Sequence, residues 1–204
     1  MLDSLEMKTN KSEELFETYL QDHNMNFEKA YPVNNKNVDF YIKSERGNVF
    51  CDVKEVRHSK KNEIDAYDYI RKDIQKLREK FKNKRPSEPA LLVTFNFSSQ
   101  FFTGYTVARA MLGDIGITYN KVTIETSDLH FLPKGNAKLT SKHNRVISGV
   151  FIFQENNNHY LFKNPFAENP IADNYFPATS IIEIDRSLDN NNIMKLTNIH
   201  IWSY

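Results

Sequence analysis

The chain has 204 residues, 40% hydrophobic and 26% charged, a size and balance that support one folded domain and exclude global disorder. A formal net charge of +1 excludes strong whole-chain steering toward polyanions, so any basic footprint must be local. The single cysteine, Cys51, excludes an internal disulfide and a cysteine-based zinc cluster, and points to a reducing, cytoplasmic setting.

No apolar run approaches the length of a membrane span, and the N-terminal stretch lacks the basic-then-apolar pattern of a signal peptide. Residues 1–11 read as a polar lead-in. "SEELFETYLQDH" then predicts a short amphipathic helix capped by Ser12, with apolar residues at 15, 16, 19 and 20. "FEKAYPV" reads as a short strand or extended connector. Two strands follow, about 38–43 and 48–56, joined by "SERGN", where Gly47 supplies the backbone freedom of a hairpin turn. From Ile64 to Phe81 apolar residues recur at 64, 67, 70, 74, 77 and 81, which predicts the longest helix; Pro86 and Pro89 end it.

"ALLVTFNF" reads as a buried strand and "TVARAMLG" as a helix closed by Gly113. Beyond it "KVTIET", "SGVFIFQ", "HYLFKN", "SIIEI" and "NIHIW" read as strands, with "QENNNH" a turn. The expectation is a mixed α/β domain over residues 1–204, a sheet covered by helices. Its core spans about 12–113, with a β-rich elaboration over about 114–204.

Chemistry concentrates in "VDFYIKSERGNVFCDVKEV", residues 38–56. Side chains two apart share a face of a strand, so Asp52 and Lys54 project together while Cys51, Val53 and Glu55 point the other way. Asp39, on the preceding strand, sits beside Asp52 if the register allows. Two carboxylates about 4 Å apart repel by roughly 4 kcal/mol at an effective dielectric of 20, so such a pair calls for a cation or a proton. Mg²⁺ suits one or two carboxylates plus water and phosphate oxygens. An exposed sheet edge with alternating charges accounts for the pattern equally well.

Asp39, twelve residues, then "DVK" resembles the active-site hairpin of the PD-(D/E)XK nuclease superfamily. The predicted element order also matches the αβββαβ core of its restriction-endonuclease-like fold. The resemblance covers about residues 12–97; Val38 stands where the family usually has proline. It implies that Asp39 and Asp52 bind Mg²⁺ or Mn²⁺ with the Val53 carbonyl. Glu17, favoured over Glu13 and Glu14 as the helix glutamate, would assist through a water or a second metal. Lys54 would orient or help deprotonate the attacking water. The implied reaction is phosphodiester hydrolysis, in DNA before RNA, and a homodimer would suit cleavage of both duplex strands. The competing reading is a catalytically inactive module of the same fold that binds nucleic acid or protein.

Between Arg57 and Arg85 lie eleven basic and five acidic residues. Arg71, Gln75, Arg78 and Lys82 form a stripe expected to contact successive phosphates; a solvated helix face is the plainer use. The six histidines show no HxH or HxxxH spacing, and no GxxxxGK[ST], GxGxxG or GxSxG motif occurs.

Overall fold

The computed structural model describes residues 10–56, 66–83, 85–96, 104–116, 119–126, 130–131, 137–140, 142–154, 159–177, 179–184 and 199–203. In chain order these give α1 (Lys11–Asp22), β1 (Asn26–Val33), β2 (Lys36–Lys43), β3 (Val49–Val56), α2 (Ala66–Lys80), β4 (Ala90–Asn96) and α3 (Gly104–Leu112). Four two-residue strands follow: β5 (Ile115–Gly116), β6 (Tyr119–Asn120), β7 (Glu125–Thr126) and β8 (His130–Phe131). The chain then enters β9 (Gly149–Gln154), β10 (His159–Lys163), β11 (Thr179–Ile184) and β12 (Ile199–Ser203).

Eight strands form one mixed sheet in the order β1-β2-β3-β4-β9-β10-β11-β12. The β3–β4, β4–β9 and β10–β11 pairs are parallel and the rest antiparallel. The protein is thus a mixed α/β structure whose sheet is flanked by helices. Strands β9 to β12, from the second half of the chain, continue the sheet begun in the first half. Gly149 permits the close approach of β9 to β10: a Cβ there would lie 2.5 Å from the Phe162 carbonyl oxygen.

Both faces of the central strands are buried, as parallel strands require. On one face α1 packs Phe16, Tyr19 and Leu20 against Phe40, Cys51, Val53, Leu91 and Phe151. On the other, Ile70, Ile74 and Leu77 of α2 and Val107 and Met111 of α3 cover Phe50, Val56, Leu92 and Ile152. The apolar period in the sequence therefore marks the sheet-facing side of α2 correctly. Residues 57–65, which include the expected helix start at Ile64, lie outside the described residues, as does most of the "QENNNH" turn.

Two local expectations are corrected. Asn10, not Ser12, is the N-cap of α1; Ser12 lies inside the helix and is buried. "KVTIET" is not a continuous strand: residues 121–124 form the turn between β6 and β7, with Val122 and Ile124 exposed and Ile124 at φ 58°. A run of β-branched residues carries strand propensity, but among the described residues nothing buries Val122 or Ile124.

Candidate active site

Strands β2 and β3 pair antiparallel at Phe40–Cys51, Tyr41–Phe50 and Ile42–Val49, and pairing stops there. The same register carried one step further would set Asp39 opposite Asp52. Strand β2 is irregular at that point on its other side too. Its ladder with β1 skips the Ala30–Asp39 position, where Ala30 has φ 50°. Val38 and Tyr41 belong to the α2-side core while Phe40 and Ile42 belong to the α1-side core. The inside-outside alternation therefore changes phase at Asp39 with no residue inserted, since the β1–β2 register is the same on both sides, and the irregularity re-aims the Asp39 side chain.

The re-aimed Asp39 carboxylate lies along the sheet toward β3. Its Oδ2 accepts the Val53 N–H at 2.6 Å, taking a donor that the ended ladder leaves unpaired. Asp52 is fully buried on the α2 face. Lys54, two residues on, shares that face; its Nζ lies 3.0 Å from Asp52 Oδ2 and 3.4 Å from Asp39 Oδ2, and donates to the Val53 carbonyl at 2.8 Å. At 3.0 Å the Lys54–Asp52 Oδ2 pair is within charge-assisted hydrogen-bond reach, with coulombic attraction the larger contribution. The side chains of Asp39 and Lys54 keep 21% and 26% exposure, which leaves the cluster open to solvent on their side.

A fourth charge comes from a residue the sequence reading did not single out. Lys80, in the last turn of α2, donates to Asp52 Oδ1 and, at 2.6 Å, to the Asn37 carbonyl. Lys80 thus ties the C-terminal end of α2 to both strands of the hairpin. Its sequence signal is its helical angle. At about 100° per residue, Lys80 lies about 80° to one side of the sheet-facing Ile70. Arg71, Gln75 and Arg78 fall about 80–140° to the other side, and Lys82 lies just past the helix end. The expected phosphate-contacting stripe therefore occupies the flank of α2 turned away from the acids.

Electrostatics bind the cluster. Burial, followed by the neighbouring Asp52 carboxylate, raises the Asp39 carboxyl above the ordinary aspartate range; Lys54, Lys80 and the Val53 N–H pull it down without cancelling this. Burial works against the charge on Lys54, but Asp52 and Asp39 outweigh it and hold the ammonium above the ordinary lysine range. On α1 the glutamate in this field is Glu13, raised first by burial and then by Asp39. Glu17 is instead held by Lys29 of β1 at 2.7 Å. Cys51 is buried on the α1 face, its thiol pushed up by burial.

The donor set fits a hard divalent cation. Lys54 Nζ touches the same three groups that the nuclease resemblance assigns to a metal: the Asp39 and Asp52 carboxylates and the Val53 carbonyl. Among the described residues no group of three or more histidine, cysteine, aspartate or glutamate side chains could hold a metal ion. Any ion here would rest on two carboxylates, a carbonyl and water, the coordination that Mg²⁺ favours. Compared with known protein families, curated proteins and solved structures, the chain matches none. No helix among the described residues is long and apolar enough to cross a membrane.

Proposed function

We propose that the protein is a divalent-metal-dependent nuclease of the PD-(D/E)XK type, with a restriction-endonuclease-like core formed by α1 to β4, hydrolysing phosphodiester bonds in DNA. One observation carries this reading: at the point where β2 and β3 part, a lysine ammonium lies among two carboxylates and a backbone carbonyl that converge on one solvent-open position. In this reading Asp39, Asp52 and the Val53 carbonyl hold Mg²⁺ or Mn²⁺. A bound ion supplies a water of lowered pKa and neutralises charge on the phosphoryl oxygens.

The chain's own residues do the rest. Lys80 bonds the buried Asp52 carboxylate and fixes its orientation. Asp39, its carboxyl raised, binds a cation best once it loses its proton, so activity falls at acid pH. With an ion held by the Asp39, Asp52 and Val53 oxygens, Lys54 would direct its ammonium at the attacking water and the phosphate. Water adds to phosphorus and gives up a proton to solvent, the P–O bond to the leaving oxygen breaks, and that oxygen takes up a proton from solvent. Glu13 or Glu17 would assist from α1 through water; of the two, Glu13 feels the charge of the site.

A second reading has an observation of its own. Asp52 engages two lysines, so the cluster could be a closed structural ion network in a module that binds nucleic acid or protein without cutting. Incubating plasmid, single-stranded DNA and RNA with wild type and Lys54→Ala in Mg²⁺ or Mn²⁺ decides between them. The nuclease reading expects cleavage by wild type, favouring DNA, and a loss of at least a hundredfold in the variant. Equal cleavage by both proteins, or none by either, contradicts it.

A further inference from the structure

The outer flank of α2, unused by the acid–lysine cluster, faces two concavities. One, of about 450 Å³, is lined by Arg71, Lys72, Lys76 and Lys138 with Asp68 and Gln75. The other, of about 400 Å³, is lined by Arg78, Lys82, Arg85, Lys142 and Arg145, with Glu168 as its one carboxylate. Lys138 lines the first and Lys142 and Arg145 the second, and the Asn144 amide of the second bonds the Lys138 carbonyl of the first, so the two concavities adjoin as one trough beside α2.

The wall opposite α2 is built rather than loose. Thr140 Oγ1 accepts the backbone N–H groups of Lys142 and His143 at 3.2 and 2.9 Å, which fixes the turn that presents Lys142. Asn144, at φ 57°, donates its side-chain amide to the Lys138 carbonyl. Glu168 Oε1 lies 2.7 Å from Arg85 and 3.8 Å from Arg145, orienting two guanidiniums at the rim. Among the described residues Arg78, Lys82 and Lys142 have no carboxylate partner. In a chain of net charge +1, this many cations along one trough leave a local excess that an anion would offset.

The ligand class follows from shape as well as charge. From Arg71 to Arg78 the helix advances about 10 Å at 1.5 Å per residue. That is about three nucleotides of one duplex strand at 3.4 Å each. Two basic concavities in line suit a linear polyanion better than a single nucleotide. We propose that this trough is a nucleic-acid track that grips a strand by its phosphates, separate from the Asp39–Asp52 cluster. The choice of nucleic acid as the polyanion rests on the nuclease reading; the binding itself needs no catalysis.

The test is fluorescence anisotropy with a labelled single-stranded oligonucleotide, in EDTA, over a range of salt. The double variant Lys82→Ala/Lys142→Ala alters two exposed side chains, and its fold is checked by thermal melting. Binding is expected to weaken about tenfold at physiological salt, and the slope of log K against log salt to become shallower by about 1.4, two contacts at about 0.7 each for a single strand. An unchanged affinity overturns the proposal. So does adenosine monophosphate displacing the oligonucleotide at equal concentration, which would make the trough a mononucleotide site. Cleavage in Mg²⁺ is followed separately: its absence with EDTA binding intact removes the nuclease reading and leaves the track standing.

Discussion

The two faces of β3 differ sharply. Toward α1, Val49, Cys51 and Val53 enter an apolar, aromatic-rich core with Phe16 and Phe40 packed edge to face at 5.2 Å. Toward α2, Phe50 and Val56 are apolar, but between them Asp52 and Lys54 bring charge into the same layer. One strand thus carries a rigid support on one side and a buried ion cluster on the other. Apolar packing is stable whatever the pH. The ion cluster holds only while each charge keeps its partners, because a buried charge left alone is expensive.

The largest expected effect comes from breaking the charged face. Asp52→Ala removes the acid shared by Lys54 and Lys80 and leaves both short of a partner. Urea unfolding should show a loss of about 3–5 kcal/mol. On the opposite face, Phe40→Ala should cost a similar 3–5 kcal/mol by opening a cavity. The two are told apart by a partner variant: Lys80→Met should cost less in the Asp52→Ala background than alone, because their shared ion pair is already gone, and should cost the same in the Phe40→Ala background. Lys80→Met comes next, at about 1.5–3 kcal/mol for a charge-assisted hydrogen bond.

Asp39→Asn has the opposite sign. Its carboxyl is raised in the fold, so ionisation is disfavoured there: its contribution falls as pH rises from the unfolded value through the folded one. The variant should therefore melt higher than wild type at neutral pH, by about 2–4 °C for each kcal/mol, while losing cleavage. Lys54, also raised, contributes stability that is present at neutral pH and lost as pH climbs through its folded value. Smallest of all, Glu17→Ala breaks a partly exposed ion pair with Lys29 and should change stability by less than about 1 kcal/mol. If cleavage depends on an α1 glutamate, Glu13→Gln should lower it more than Glu17→Ala.

The sequence makes part of this layout visible, and the reasons are physical. Period-two alternation places Asp52 and Lys54 together because β3 is regular from Val49 to Val56. Alternation could not place Asp39, since β2 slips phase there and the position depends on where two ladders end. Lys80 was hidden among the cations of a basic helix. Spacing by i and i+4 groups Arg71, Gln75, Arg78 and Lys82 into a stripe, but does not say which flank of α2 faces the hairpin. Pairing of β4 with β9 joins residues over 50 positions apart, and no local pattern encodes such a contact. Thr94, buried on the same face at the register position of Lys54, shows how far apolar-looking strands conceal polar neighbours.

Calorimetric titration with Mn²⁺ tests the central claim most directly. Wild type should bind the ion, Asp39→Asn should not, and Lys54→Ala should bind it more tightly than wild type, because its ammonium no longer occupies the three oxygens. A wild type that takes up no Mn²⁺, or a Lys54→Ala variant that gains no affinity, would contradict the account.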